Sequence, residues 1–254
     1  MRWGEQTSRE LSALGTGETI AILPVGALEQ HGPHLTTDTD AFLAQHVAEE
    51  VAERARDLHL LVLPALWTGF SPHHLRFAGS VSLRSETLVQ VITDLCESLN
   101  LRGLRKVLLL NGHGGNVPHL QAAAARVSST RGMLVVVTSY FDGLGPMIAE
   151  TCRDRPADIG HAGEAETSLM LAACPERVRE AVRRELPEVP RPPDPPQGFV
   201  FRDFAALTTR GYFGSPARAT RATGSRLMEA AIEHVHAVIR WMAAERVRFI
   251  VRMR

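Results

Sequence analysis

The feature that most constrains the fold is the alternation of short apolar runs with amphipathic stretches over the first 140 residues. Each run is rich in Val, Leu and Ile and too short for a buried helix, which indicates a strand. The stretches between them repeat apolar residues at helical spacing. Strands alternating with helices favour a mainly parallel sheet covered by helices on both faces. The predicted strands are 19–25, 60–66, 106–110 and 133–138, with a β-like piece at 80–83; the predicted helices are 5–14, 40–56, 85–101 and 117–129.

The second half of the chain is less regular. We predict a helix from Glu164 and a long C-terminal helix over 225–246, and no clear element over 145–159. Six prolines within 187–198 predict a rigid, extended segment. A glycine-punctuated loop follows at 211–221, and no repeat is visible. We therefore expect one α/β domain over residues 1–254, with three layers and a mainly parallel central sheet flanked by helices.

Charge and cysteine content narrow the class of protein. Lys+Arg and Asp+Glu are both 28, so the formal net charge is zero, which argues against nucleic acid or an anionic membrane as the main partner. The three cysteines are far apart and form neither a disulfide framework nor a CxxC pair. The N-terminus has no apolar leader, and no apolar run reaches 18 residues. We expect a cytoplasmic protein with no nucleic-acid or membrane partner.

Polar groups crowd the stretch that follows the first predicted strand. Glu29, His31, His34, Asp38 and Asp40 lie within the fourteen residues that follow Gly26. Carboxylates and imidazoles packed this densely are costly unless a positive group lies among them. We therefore predict a metal site with Glu29, His31 and Asp40 as ligands. Asp38 is predicted to support the site from outside the ligand set, and His34 to bond backbone in its loop. The alternative is a polar loop in which Asp40 only caps a helix.

Two later motifs offer the missing ligands. His113 lies in NGHGGN, directly after the third predicted strand, and so at the same edge of the sheet as Glu29 and His31. Glu166 follows His161 by five residues. Nitrogen and oxygen ligands suit Zn, Mn or Fe(II), and two ions bridged by a carboxylate can hold a hydroxide between them. Two alternatives stay open: an anion-binding nest at NGHGGN, and Glu164 in place of Glu166.

These motifs carry a resemblance to a known family. EQHGPHLTTDTD, NGHGGN and HAGEAETS, together with the loop HHLRFAGSVSL, resemble the creatininase (creatinine amidohydrolase) family over about residues 20–220. The resemblance implies an α/β fold, a dinuclear metal centre, hydrolysis of carbon–nitrogen bonds and a homohexamer. It also implies that Glu29, Asp40 and His113 hold one ion, and that the second is held by His31, Asp40 and Glu166.

The resemblance assigns the remaining site residues as well. His161 matches the family's catalytic histidine, which moves a proton between the attacking water and the leaving nitrogen; the alternative is a histidine that only supports a ligand. His74 matches a histidine of the substrate-side loop. Creatininase proper has a tyrosine and a glutamate where this chain has Gly114 and Gly115. Because the tyrosine lines the creatinine pocket and the glutamate is an extra metal ligand, these glycines argue against creatinine as the substrate.

The predicted function is a dinuclear-metal-dependent amidohydrolase, using a metal-bound hydroxide on an amide C–N bond of a small, cyclic or short peptide substrate. We expect two divalent ions per chain, zinc first and manganese or iron as alternatives. The Asp38-x-Asp40 pair and the FAG sequence at 77–79 resemble the mycofactocin precursor peptidases of this family. A peptidase of that type, a formamidopyrimidine deformylase and a lactonase are the alternatives on the same site. A binding protein that keeps the fold without catalysis is a further alternative.

Overall fold

A computed structural model describes the chain over residues 1–15, 17–153, 159–193 and 200–247. Its centre is a four-stranded sheet in the order β2-β1-β3-β4, and every neighbouring pair is parallel. The strands are β1 (Ile20–Val25), β2 (Leu60–Val62), β3 (Lys106–Asn111) and β4 (Leu134–Ser139). The predicted parallel sheet is confirmed.

Helices surround this sheet. They are α1 (Ser8–Ala13), α2 (Thr39–Arg54), α3 (Ser85–Leu101), α4 (Val117–Arg131), α5 (Gly145–Thr151), α6 (Glu164–Ala173), α7 (Glu180–Arg184), α8 (Phe204–Leu207) and α9 (Arg221–Ala244). Single turns of 3-10 helix occur at Trp3–Glu5, Pro72–His74, Gly114–Asn116, Pro175–Arg177 and Pro216–Arg218. Within the described ranges, none of these helices combines the length and the apolar character needed to cross a membrane.

The core lies on both faces of the sheet, as expected for parallel strands covered by helices. Ile20 and Ile22 of β1 pack with α2, α6 and α9 on one face. Ala21 and Leu23 pack with α3 and α4 on the other. Since successive side chains of a strand point to opposite faces, an uninterrupted apolar strand is what a three-layer structure requires. The three-layer α/β fold is therefore confirmed.

Several element boundaries differ from the sequence prediction. The second strand ends at Val62, because the ladder slips by one residue: Leu63 donates to Ile22, but the next donor, to Pro24, is Leu66. The piece at 80–83 is a single antiparallel bridge between Val81 and Leu28. The C-terminal helix begins at Arg221, four residues earlier than predicted, because the Thr220 side chain accepts a hydrogen bond from the Thr223 N–H.

Three short helices were not predicted, each of seven residues or fewer. α5 lies within 145–159, and α7 and α8 lie farther along the chain. Residues 194–198 of the predicted proline-rich segment lie outside the described ranges. In the part that is described, Val189 exchanges two backbone hydrogen bonds with Gly214, at 3.0 and 2.7 Å. These bonds join the start of the segment to the loop before α9.

Two glycines bring the start of α2 against the edge of the sheet. A Cβ on Gly26 would lie 2.6 Å from the Cβ of Ala41, and one on Gly112 would clash with the backbone oxygen of Asp40. No larger residue fits either place without moving the backbone. The ends of β1 and β3 therefore lie close to Asp40, which places Asp40 beside the residues that follow these strands.

Candidate metal centre

Five buried polar side chains meet at the carboxyl edge of the sheet. The loop after β1 contributes Glu29 and His31, and the first turn of α2 contributes Asp40. His113 follows β3, and Glu166 lies in the first turn of α6. All five are 7% exposed or less. The edge of a parallel sheet has thus gathered three carboxylates and two imidazoles into one place, as the sequence predicted.

His113 faces two of the carboxylates with one ring nitrogen. Its Nδ1 lies 3.3 Å from Glu29 Oε2 and 3.2 Å from Asp40 Oδ2. Its other nitrogen, Nε2, lies 3.1 Å from the carbonyl oxygen of Phe70, so the tautomer protonated on Nε2 donates there. Metal-binding histidines usually have this arrangement, in which one nitrogen donates to a carbonyl and the other is left to the ion.

His31 repeats the arrangement on the other side of Asp40. Its Nδ1 lies 3.1 Å from the carbonyl oxygen of Glu29 and can donate a proton to it. Its Nε2 lies 3.1 Å from Asp40 Oδ1 and 3.5 Å from Glu166 Oε2. The two oxygens of Asp40 therefore face one histidine each. A carboxylate placed between two sets of ligands in this way can bridge two ions.

The cluster fits a cation on two further counts. His31 Nε2 and Asp40 Oδ2 are buried atoms without a hydrogen-bond partner among the described residues. Burial would lower the pKa of His31, yet the Glu166 and Asp40 carboxylates raise it well above its ordinary value. Burial also lowers the pKa of His113, but Glu29 and Asp40 outweigh it and raise this pKa to about 10. The carboxylates thus favour positive charge at both positions, which argues against an anion-binding nest at NGHGGN.

Glu166 and Glu164 have different surroundings. Glu166 Oε2 accepts a 2.6 Å hydrogen bond from the N–H of Ala162, the one non-glycine residue with positive φ in the described chain. That φ of 50° aims the Ala162 N–H at Glu166, and such strained backbone is common at functional sites. Glu164 instead accepts from the Arg153 N–H at 2.8 Å. Of the two carboxylates, it is therefore Glu166 that lies with His31.

His161 and His74 lie beside Glu29 and are joined by Gln30. Their Nδ1 and Nε2 atoms, respectively, are 3.6 and 3.5 Å from Glu29 Oε1. Gln30 Oε1 accepts from the Gly32 N–H, and this bond directs its amide nitrogen to His74 Nδ1 at 3.0 Å. His161 Nε2 lies 2.8 Å from the Gln30 carbonyl oxygen. Burial, with repulsion from His31 and His74, holds the pKa of His161 well below its ordinary value.

The other predicted residues lie around this centre. Asp38 precedes α2, and its carboxylate is 2.7 Å from Arg177 Nη1. His34 is buried and its Nε2 bonds the Thr167 hydroxyl at 2.9 Å, rather than backbone in its own loop. Gly114 and Gly115 line the cavity next to His113. A Cβ on Gly114 would meet nothing within 4 Å, whereas one on Gly115 would lie 2.6 Å from the Phe70 oxygen.

A cavity of about 670 Å³ opens onto the cluster. Its apolar lining comes from segments distant in sequence: Phe70, Phe141, Ile159, Val200, Phe201, Phe204, Leu207 and Phe213. The ring of Phe204 packs on His74 at 4.4 Å and on His161 at 4.7 Å between centroids. Sequence reasoning missed this wall, because single aromatic residues in irregular segments have no periodicity to reveal it.

Three polar residues of the site were also missed. Ser71 donates from its hydroxyl to Glu29 and lies 3.3 Å from His113 Nε2. The ring of His73 stacks on that of His113 at 5.5 Å. Gln30 joins His74 and His161. Gln30 lies between two predicted ligands in sequence, which was the one available signal; Ser71 and His73 lie in a loop whose course only the fold determines.

Comparison with known proteins gives one family over nearly the whole chain. The model of the family described as "Creatininase: Creatinine amidohydrolase" matches residues 4–239. A mycofactocin precursor peptide peptidase from Mycobacterium tuberculosis is 35% identical over 250 residues, covering 94% of this chain and 92% of that protein. A creatinine amidohydrolase from Pseudomonas putida is 32% identical over 256 residues, covering 93% of this chain and 95% of the relative.

Solved structures agree with the sequence relatives. A creatininase structure titled as a Mn form superimposes with a TM-score of 0.83 at 30% identity, covering 96% of this chain and 99% of the other. A creatininase mutant titled as a Zn-Zn type has a TM-score of 0.81 at 31% identity, covering 96% and 98%. Both metals named in these titles are among those that nitrogen and carboxylate ligands suit.

Proposed function

Because the chain belongs to the creatininase family of amidohydrolases, we propose that it hydrolyses an amide C–N bond of a short peptide at a two-metal centre. The observation that carries this proposal is the position of Asp40, whose two oxygens lie 3.1 Å from His31 Nε2 and 3.2 Å from His113 Nδ1. A carboxylate that faces two buried imidazoles in this way is placed to bridge two ions.

The proposed ligand sets follow from these contacts. Glu29, Asp40 and His113 would hold one ion, and His31, Asp40 and Glu166 the other. Zinc is our first choice and manganese or iron the alternatives, since the donors are imidazole nitrogens and carboxylate oxygens with no thiolate among them. When bound, such ions supply a nucleophilic water near neutral pH and polarise the scissile carbonyl group.

His161 would move the proton. With a proton on Nε2 it donates to the Gln30 carbonyl oxygen, 2.8 Å away, and Nδ1 is left unprotonated near Glu29. A depressed pKa favours this neutral form at physiological pH. Nδ1 would take a proton from the attacking water and deliver it to the leaving nitrogen. His74 and Gln30 would hold the His161 ring in place, since both contact it.

The shape of the cavity favours a peptide over creatinine. Gly114 leaves open the space next to His113, and a cavity of about 670 Å³ exceeds what one small ring needs. Its wall of phenylalanines suits apolar side chains. The M. tuberculosis relative, which is named as a peptide peptidase, is 35% identical to this chain, which supports the same choice.

Metal analysis and hydrolysis assays together test the proposal. We expect about two divalent ions per chain and metal-dependent release of amine from short peptides with apolar side chains, with less turnover of creatinine, a formamide or a lactone. His161→Ala should keep both ions but lose about 100-fold or more in kcat, the usual contribution of a general acid–base group. Ion content below about one per chain, or Asp40→Asn with full activity, would show the two-metal model to be wrong.

The assembly is part of the proposal as well. We propose that residues 1–254 form one domain that associates as a homo-oligomer, a hexamer by the family resemblance, and works in the cytoplasm. Sedimentation velocity on the purified protein would measure the assembly directly, and a monomer at micromolar concentration would contradict it.

A further inference from the structure

We propose that His73 is an additional ligand of the ion held by Glu29, Asp40 and His113, an inference that rests on the proposed two-metal function. His73 lies in the 3-10 helix Pro72–His74 and lines the same cavity as His113. With three protein ligands from elsewhere, this ion position has room for a further donor from the protein.

Distance supports this role. A ring nitrogen of His73 lies within 4.8 Å of ligand atoms of both Glu29 and His113, and those two atoms are equally close to each other. Three donors at such separations can share one ion between them. The His73 and His113 rings are nearly parallel, 15° apart, with their centroids at 5.5 Å. The His73 ring therefore lies alongside that of His113, next to the proposed ion position.

Hydrogen bonding supports it independently. His73 Nδ1 is buried and has no partner among the described residues. His74, the next residue, is different: its Nδ1 lies 3.0 Å from the Gln30 amide nitrogen, from which it accepts a hydrogen bond. Buried polar atoms without a partner are uncommon and call for an explanation. Seven side-chain atoms of the described residues are in this state, and His31 Nε2, Asp40 Oδ2 and His73 Nδ1 are three of them.

The residues that follow His113 cannot supply the extra donor. They are Gly114 and Gly115, which have no side chains. At position 115 any side chain would clash with the His113 ring and lie 2.6 Å from the Phe70 oxygen. His73 is instead a nearby side chain that groups with both Glu29 and His113.

Packing alone does not account for His73. Its ring meets Phe201 edge to face, with 5.6 Å between centroids, so it also belongs to the cavity wall. A leucine or phenylalanine would fill that wall without burying a nitrogen. The contact with Phe201 explains where the ring lies, but it leaves the cost of the buried Nδ1 unexplained.

The test compares two replacements of equal size, His73→Gln and His73→Glu. Zn²⁺ affinity is measured by competition with a chromophoric chelator, and total zinc by elemental analysis. We expect wild type to bind two ions. His73→Gln should weaken one of them by at least about 10-fold, the lower end of the loss seen when even an indirect contact to a metal is removed. His73→Glu should recover much of that loss, because a carboxylate can ligate the ion.

A matched control and a second readout make the result specific. His119 also lies beside Phe70, at 4.2 Å between rings, but its Nδ1 bonds the Ser85 hydroxyl at 3.0 Å. His119→Gln should leave both zinc affinities unchanged. The visible absorption of Co²⁺-loaded protein depends on the number and type of ligands. It should change in His73→Gln and not in His119→Gln.

The outcomes separate this inference from the function on which it rests. If wild type binds two ions and His73→Gln binds both with unchanged affinity and spectrum, His73 is not a ligand and the two-metal function stands. If wild type binds no ion, both proposals fail. A loss in His73→Gln that His73→Glu does not restore would assign His73 a packing role and overturn the inference.

Discussion

At the scale of single residues, Glu164 and Glu166 show how two similar side chains differ in role. Both are buried in the first turn of α6, where a carboxylate gains from the helix dipole. Two positions along a helix turn a side chain by more than half a revolution, so they face different neighbours. Glu166 lies 3.5 Å from His31, whereas Glu164 bonds the backbone of Arg153.

We therefore expect Glu166→Gln and Glu164→Gln to differ in metal content. Glu166→Gln should bind about one ion fewer per chain and lose most activity, because a neutral amide is a poor ligand. Glu164→Gln should keep both ions, since its hydrogen bond to Arg153 can be made by an amide oxygen. Elemental analysis of the two purified variants decides the matter. Equal ion loss in both would contradict the assignment of Glu166.

His34 yields a pH prediction at the same scale. Burial, with repulsion from His31 and Arg183, lowers the pKa of His34 to about 3, against about 6.5 in an unfolded chain. Between these values the unfolded state binds a proton that the folded state does not. The free energy of unfolding should therefore be complete above about pH 6.5 and fall as the pH is lowered through this window.

Urea denaturation of the metal-free protein between pH 4.5 and 7 measures the effect. His34→Gln should reduce the slope of unfolding free energy against pH by up to the amount that one bound proton contributes. The reason is that glutamine stays neutral and can still bond Thr167. A variant with the wild-type slope would show that His34 is not held neutral by the fold.

The residues predicted from sequence were those whose chemistry is visible in the sequence itself. Glu29, His31, Asp40, His113 and Glu166 form dense motifs, and the structure brings all five together. Ser71 and His73 gave no such signal. Their positions depend on a loop that folds back across the sheet edge, where the Phe70 carbonyl meets His113. Contacts of that kind arise from tertiary packing and have no local pattern.

At the scale of elements, the packing of α6 against α9 supports the position of Glu166. Gly224 of α9 lies against the backbone oxygen of Ser168 in α6, and a Cβ there would clash with that oxygen. The Ser168 hydroxyl in turn accepts a hydrogen bond from the Thr220 N–H, 3.1 Å away, at the start of α9. The two helices touch backbone to backbone, so a change in one displaces the other.

Gly224→Ala should lower the free energy of unfolding by about 1–3 kcal/mol, the usual cost of overpacking, despite the better helix propensity of alanine. Because α6 must shift to make room, the variant should also bind zinc more weakly. Urea denaturation and zinc titration measure the two effects. Gly15→Ala is the control: it lies before β1, and its Cβ would meet nothing within 4 Å.

The control should be neutral or up to about 1 kcal/mol more stable than wild type, with unchanged zinc affinity. A Gly224→Ala variant as stable as Gly15→Ala would show that the α6–α9 contact adjusts without cost, and that Glu166 does not depend on it.

Elements were predictable in proportion to their length. The strands and the helices α2, α3 and α4 contain several turns or a full apolar run, and the sequence prediction matched them to within a few residues. α7 and α8 have five and four residues. So short a segment completes little more than one turn, which is too few positions for an apolar period to appear. These short helices are stabilised by tertiary contacts in the folded protein.

At the scale of the whole molecule, the centre joins parts of the chain that are far apart. Glu29 and Glu166 are separated by 137 positions (166 − 29), yet each faces a histidine that also contacts Asp40. The parallel sheet makes the approach of Glu29 and His113 predictable, because the carboxyl ends of its strands share one edge. Glu166 follows no strand, and its ligand role was implied only by the family resemblance. The apolar wall formed by 200–213 was not predictable, because these residues follow no strand and the sheet does not determine where they lie.

Metal ions should therefore stabilise the whole chain. An unfolded chain cannot bring Glu29, His113 and Glu166 together, so the ions bind the folded state almost exclusively. Free zinc at 100 times its dissociation constant should add about 2.7 kcal/mol to the free energy of unfolding for each ion. The repulsion among three buried carboxylates in the metal-free protein strengthens ion binding, so it is already included in the dissociation constant.

Thermal unfolding with and without a chelator measures this stabilisation, and Asp40→Asn tests whether it comes from the bridged centre. If stability comes through the bridged centre, zinc should raise the melting temperature of wild type by several degrees and that of Asp40→Asn by much less. The metal-free variant should be less stable than metal-free wild type, because His31 and His113 hold the pKa of Asp40 low and lose a charged partner when it is neutralised. Equal zinc-induced shifts in both proteins would mean that the stabilising ions bind elsewhere and that Asp40 does not join the two positions.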